Sequence, residues 1–123
     1  MPPLLTTILT AVVALEHFYI LYLEMFAWTT KGPKVFRGAM HKDLFPKTVT
    51  MAANQGLYNG FLATGLLWSL LIDDVTWSKN VATYFFGCVF VAGIYGAYSA
   101  AKKILYVQGL PALVGLIVTQ LGV

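Results

Sequence analysis

The chain has 123 residues, of which 59% are hydrophobic and only 11% charged, with a net charge of +3. A soluble domain carries roughly a quarter charged residues and could not bury so much apolar surface at this length. Composition therefore argues against a water-soluble fold. It also argues against nucleic-acid binding, because the basic residues flank apolar runs and form no patch on a polar domain.

A helix crosses about 30 Å of hydrocarbon with about 20 apolar residues, and four runs qualify. The first covers about residues 4–30. It lacks a basic leader and a small-residue cleavage site, so it is expected to remain in the mature protein and not to act as a signal peptide. Glu16 and His17 lie halfway along it, and Glu24 lies about 10 Å nearer its end at a rise of 1.5 Å per residue. His17 and Glu24, seven apart, share nearly one helix face, whereas Glu16 is turned roughly 100° from His17. A charged carboxylate at this depth is expensive unless neutral, paired or hydrated. At least one of Glu16 and Glu24 is therefore expected to be uncharged at neutral pH. Trp28, at the end of the run, is expected to anchor the helix at the interface.

Gly32-Pro33 ends the first run, and a loop with Lys31, Lys34, Arg37, Lys42 and Lys47 follows. Val35, Phe36, Ala39, Met40, Leu44 and Phe45 recur within it at close to helical spacing, which predicts a short helix on the membrane surface. An ordinary structured loop is the alternative. The second run, 49–72, carries Asn54, Gln55 and Asn59, and a ridge of small residues at Ala52, Gly56 and Gly60.

The third run, 81–101, follows Trp77, a second expected anchor, and contains Tyr95 and the single cysteine, Cys88. One cysteine permits no internal disulfide and reads as a small buried hydrophobe. Ala92, Gly96 and Ala100, with Gly93, Ala97 and Ala101, form two more smooth ridges. Such ridges let helix backbones approach closely in lipid, within one bundle or, as the alternative, across a homodimer. The fourth run, 104–121, contains Gln108 and is interrupted by Gly109 and Pro111. Either Pro111 kinks one long helix, or it begins a shorter one.

The chain is thus expected to be an all-α polytopic protein, residues 1–123 forming a single domain of four transmembrane helices with an interfacial segment in the first loop. Seven basic residues fall in the first and third loops, against Lys79 alone on the other side, and neither terminal segment has Lys or Arg. Because positive charge stays on the cytoplasmic side, both termini are expected outside a plasma (inner) membrane. Counting depth along the spans places Asn59 near Glu16 and His17, and Asn54, Gln55, Tyr95 and Gln108 near Glu24. These eight residues form an expected intramembrane polar site.

No Lys or Arg lies within a span, which leaves His17 as the sole cationic candidate beside the glutamates. One histidine with two glutamates lacks a recognised metal spacing, and no cofactor motif or Gly-rich phosphate loop is present. Neither a metal nor a cofactor is expected. Three functions suit this inventory: binding or transport of a proton, cation or small solute; acid–base catalysis on a lipid or isoprenoid within the membrane, with no catalytic residue assigned; and a structural or accessory role in which polar groups only specify packing.

The stretch from Glu16 to Trp28 (EHFYILYLEMFAW), the Asn54–Ala63 block (NQGLYNGFLA) and Val107–Ala112 (VQGLPA) resemble the small bacterial membrane proteins grouped as domain of unknown function 1304. The resemblance covers nearly the whole chain and implies a four-span membrane protein. It implies no activity.

Overall fold

The computed structural model describes residues 2–123. Its helices are α1 (Leu4–Phe26), α2 (Gly32–Val35), α3 (Val49–Leu71), α4 (Val75–Ser99) and α5 (Leu110–Leu121). No β-strand occurs among the described residues, only an isolated bridge between Arg37 and Met40. The protein is all-α.

The four long helices pack in the cyclic order α1, α3, α4, α5, with α5 returning to α1. The termini meet at one end, where Leu5 N–H donates to the Val123 carbonyl at 3.0 Å and Ser78 Oγ donates to the Ser69 carbonyl at 2.7 Å. The basic loops meet at the other, where Lys103 Nζ donates to the Val35 carbonyl at 3.2 Å. Successive long helices therefore run in alternate directions.

What each helix buries is mostly small or polar, with a few bulky apolar residues. The inward stripe is Thr6, Thr10, Val13, Ala14, His17 and Leu23 on α1, and Ala52, Gly56, Gly60, Ala63, Gly65, Leu66 and Ser69 on α3. On α4 it is Ser78, Ala82, Phe86, Val89 and Gly93, and on α5 Ala112, Gly115, Val118 and Thr119. The three- and four-residue steps are those of one helix face. Many bulky apolar residues point outward: Phe26, Leu71, Tyr84, Val91 and Tyr98 are all more than half exposed. Two helices, α1 and α4, are long and apolar enough to cross a membrane, and only 28% and 22% of their apolar windows is buried.

The glycines set the helix distances. A methyl group on Gly56 would meet Met25 Cγ at 2.7 Å and Glu24 Cβ at 3.0 Å, and one on Gly60 would meet Leu21 Cδ1 at 2.6 Å. The Gly56–Gly60 ridge is therefore the seat of α1. Gly93 faces Gly109, whose Cα lies 2.5 Å from where a Gly93 Cβ would sit. There the α4 backbone touches the last helical segment directly. Gly56, Gly60 and Gly93 thus serve packing within the chain, whereas Ala92 and Ala100 of the other α4 ridge are exposed.

Three expected boundaries shift for identifiable reasons. α1 ends at Phe26, not near residue 30, and Trp28 is buried at 9% exposure instead of anchoring an interface. Its indole lies against Phe45 at 4.7 Å and Phe36 at 5.4 Å, tilted to both rings, and donates to Thr48 Oγ1 at 2.9 Å. Burial of Phe45 against Trp28 and Ala52 folds the loop back on itself. The surface helix accordingly reduces to the single turn of α2 and a 3-10 turn at Lys42–Leu44. α4 begins six residues before 81, because the Asp74 carboxylate accepts from Trp77 N–H at 2.9 Å and caps it.

The last run bears out the shorter helix, with an added feature before it. Leu105–Gly109 forms a π turn leading directly into α5, with Pro111 in the first turn of α5. The Leu110 N–H reaches back five residues to the Leu105 carbonyl, which widens the turn where the proline ring would otherwise meet the preceding carbonyls.

Gly93→Ala is expected to destabilise the fold by about 1–3 kcal/mol, since backbone cannot yield as a side chain can. Gly87→Ala, with nothing within 4 Å, is expected to be neutral. Thermal unfolding of both variants in detergent checks the pair, and equal midpoints would contradict the direct backbone contact.

Candidate functional site

Helix α1 supplies both carboxylates, and its neighbours decide what each one meets. Glu24 lies beside the glycine ridge of α3, where Asn59 Nδ2 donates to its Oε1 at 2.6 Å and also to the Gln55 carbonyl at 3.1 Å. A depth count places Asn59 deeper than Glu24. In a helix each Cα–Cβ bond tilts toward its own N-terminus, so in oppositely directed helices the two side chains lean toward one another and close the gap.

His17 is fully buried and binds elsewhere. Its Nδ1 lies 2.9 Å from the Val13 carbonyl, and its Nε2 lies 2.9 Å from Gln108 Nε2. A carbonyl only accepts, so Nδ1 carries the proton; the neutral ring then accepts from the Gln108 amide through Nε2. The His17 ring makes no hydrogen bond to either glutamate. It ties α1 to the π turn that carries Gln108.

Between α1, the π turn and the folded-back loop lies a cavity of about 250 Å³. Glu16, Glu24, Asn59 and Gln108 line it, with Ile20, Leu23, Val35, Phe36, Ile104 and Val107 as apolar wall and Arg37 and Lys103 from the two basic loops. Glu16 and Glu24, eight residues apart, are separated by about 12 Å along the axis. Glu24 therefore lies nearer the basic end, and Glu16 lies deeper. Glu16 Oε1 is buried and has no hydrogen-bond partner.

Of the eight residues expected to form one site, the structure gathers five: four line the cavity, and His17 stands behind Gln108. The other three lie outside. Asn54 is exposed and donates to the Thr50 carbonyl of its own helix at 2.9 Å. Gln55 has an exposed side chain and contributes only its carbonyl, and Tyr95 is 66% exposed. Arg37 and Lys103 were missed as site residues because a basic loop residue reads first as a topology signal. No group of three His, Cys, Asp or Glu side chains able to hold a metal occurs among the described residues.

A second cavity of about 260 Å³ lies at the opposite end, lined by Thr6, Ser69, Asp73, Ser78, Lys79 and Thr119 among others. The buried hydroxyls of Thr6 and Thr119 have no partner. Between the two cavities the packed core of Val13, Ala14, Leu66, Phe86, Val89 and Ala112 closes the interior.

Gln108→Leu leaves the buried Nε2 of His17 unpaired and is expected to cost about 1–3 kcal/mol. Asn54→Leu, removing a bond made on an exposed surface, is expected to cost under about 1 kcal/mol. Chemical or thermal unfolding in detergent separates them; a smaller loss for Gln108→Leu than for Asn54→Leu would contradict the His17 assignment.

Three comparisons place the chain among known proteins. A family model described as "Protein of unknown function (DUF1304)" matches residues 11–120. The chain is 33% identical over 115 residues to "Uncharacterized protein YpaA" of Lactococcus lactis subsp. lactis (strain IL1403), a match covering 93% of this chain and 95% of that protein. No solved structure matches. The chain belongs to the DUF1304 family, the one its Glu16–Trp28 and Asn54–Ala63 stretches resemble.

Proposed function

We propose that this DUF1304-family chain is a multi-pass membrane protein whose inner cavity binds, for carriage or retention, a small solute rich in hydrogen-bond donors, a cation in the simplest case. The observation that carries this reading is an imbalance of hydrogen-bonding groups in the cavity. Asn59 Nδ2 is committed to Glu24 and Gln55, and Gln108 Nε2 to His17. At the depth of the cavity what remains is mainly oxygen, the unpaired Glu16 Oε1, the second Glu24 oxygen and the amide oxygens of Asn59 and Gln108, beside one spare N–H of Gln108, while the donors of Arg37 and Lys103 stand at the end nearest the loops. Oxygens accept, so a fitting solute brings the donors.

The bilayer setting rests on the inverted distribution of residues. Buried stripes rich in Thr, Ser, Gly, Ala and His, around a small core of Val, Leu and Phe, lie under an outer surface of Leu, Val, Phe, Tyr and Trp far more apolar than that of a soluble protein. Low burial of α1 and α4 separates them from the core helices of a soluble protein. α3 matches α1 in length, at 23 residues each; its Asn59 faces Glu24 of α1, and the exposed Asn54 and Gln55 lie within its first two turns. The segment Leu105–Leu121, at 17 residues, is short enough that the bilayer thins locally around it. The basic loops lie inside and both termini outside, by the positive-inside rule.

Two cavities at opposite ends, closed from each other by the apolar core, favour a carrier over a static receptor. Each glutamate within the bilayer is then retained for its ligand, since packing alone is obtained at lower cost from Asn or Ser.

Isothermal titration calorimetry of the purified chain with ethylammonium tests the binding. Wild type is expected to bind, and Glu16→Gln and Glu24→Gln are each expected to weaken affinity at least tenfold. The fold is expected to survive, since the amide oxygen introduced by Glu24→Gln still accepts from Asn59. Equal affinity in all three proteins would refute the reading.

A further inference from the structure

The inner cavity has two electrostatic ends. Glu16 and Glu24 occupy its depth, while Arg37 from the first basic loop and Lys103 from the start of the last helical segment occupy the end nearest the loops. Among the described residues the one ion pair is His41 with Asp43, both exposed in the loop, so neither Arg37 nor Lys103 is neutralised by a carboxylate of the protein. Lys103 is held toward the cavity by its bond to the Val35 carbonyl, and Val35 lines the same cavity. An arginine beside a lysine is suited to a phosphate, which the guanidinium fork meets with two parallel bonds and the ammonium meets as a point charge.

Resting on the cation-binding reading above, we propose that the ligand is a zwitterion of the phosphoethanolamine type, with its ammonium directed to Glu24, the glutamate nearer the loops, its phosphate to Arg37 and Lys103, and Glu16 adding negative charge beyond the ammonium. The apolar side of the cavity, formed by Ile20, Leu23, Ile104 and Val107, lies along the line from one charge to the other. It accommodates a short hydrocarbon spacer and, where the headgroup belongs to a lipid, the first carbons beyond the phosphate. A simple monovalent cation leaves the two basic residues without a role. A simple anion leaves the two glutamates opposed to it. Only a molecule carrying both charges meets both ends, and a cavity of about 250 Å³ holds a headgroup of this size.

The test compares O-phosphoethanolamine with ethylammonium, which shares the ammonium and lacks the phosphate, by calorimetry on the full chain in detergent. Wild type is expected to bind O-phosphoethanolamine at least tenfold more tightly, and in the Arg37→Gln/Lys103→Gln variant the two compounds are expected to bind alike. Ethylammonium binding with no preference for O-phosphoethanolamine overturns the zwitterion while the cation reading stands. Failure of wild type to bind either compound or to retain the lipid overturns both. Native mass spectrometry of protein from nanodiscs containing equal phosphatidylethanolamine and phosphatidylglycerol distinguishes the source. Selective retention of phosphatidylethanolamine, lost in the double variant, assigns the headgroup to a lipid; binding of free O-phosphoethanolamine without lipid retention assigns it to a soluble compound. A full tenfold preference persisting in the double variant removes Arg37 and Lys103 from the site and overturns the proposal.

Discussion

The seat of α1 on the glycine ridge of α3 is the contact from which the cavity follows. Gly56 and Gly60 present no side chain, so Leu21, Glu24 and Met25 lie directly on the α3 backbone. At that separation the short Asn59 side chain reaches Glu24, and the amide holds one carboxylate oxygen while leaving the other free. A larger residue at Gly56 would push α1 away and part this pair. Packing and chemistry are therefore set by the same few atoms.

A second glycine contact works on the opposite wall. Gly93 against Gly109 brings the last segment onto α4 immediately after the π turn, and that turn presents Gln108 to His17. The wide turn also accommodates Pro111, whose ring and missing N–H would disturb a regular helix. π turns recur at functional sites, and this one supplies Ile104, Val107 and Gln108 to the cavity from its own residues or the position just before it. The inner wall thus depends on a local helix defect that proline and glycine together make.

Much of this was legible in the sequence. The all-α class, the four long helical segments, the inward use of Ala52, Gly56, Gly60 and Gly93 and the polar group of Glu16, His17, Glu24, Asn59 and Gln108 all follow from spacing and from the cost of polar groups in apolar runs. Other features were not legible because they depend on tertiary reach. Trp28 sits where an interfacial anchor would, yet Phe36 and Phe45 fold back to cover it, and nothing local signals that return. Asn54 and Gln55 adjoin the site in sequence but fall on the wrong face of α3, while Tyr95 satisfies a depth count and points outward. Depth counting also treats side chains as perpendicular to the helix, which is why it put Asn59 level with Glu16 and not Glu24.

The central claim is a cavity within a bilayer, open toward the basic end and electronegative at depth. Cysteine reactivity measures it most directly, in a Cys88→Ser background with single Glu16→Cys or Glu24→Cys substitutions in oriented membranes. A small impermeant thiol reagent is predicted to modify both positions from the side bearing the Lys31–Lys47 loop, and Glu24→Cys faster than Glu16→Cys because it lies nearer the mouth. Modification only from the side bearing the termini, or none from either side, would contradict the account.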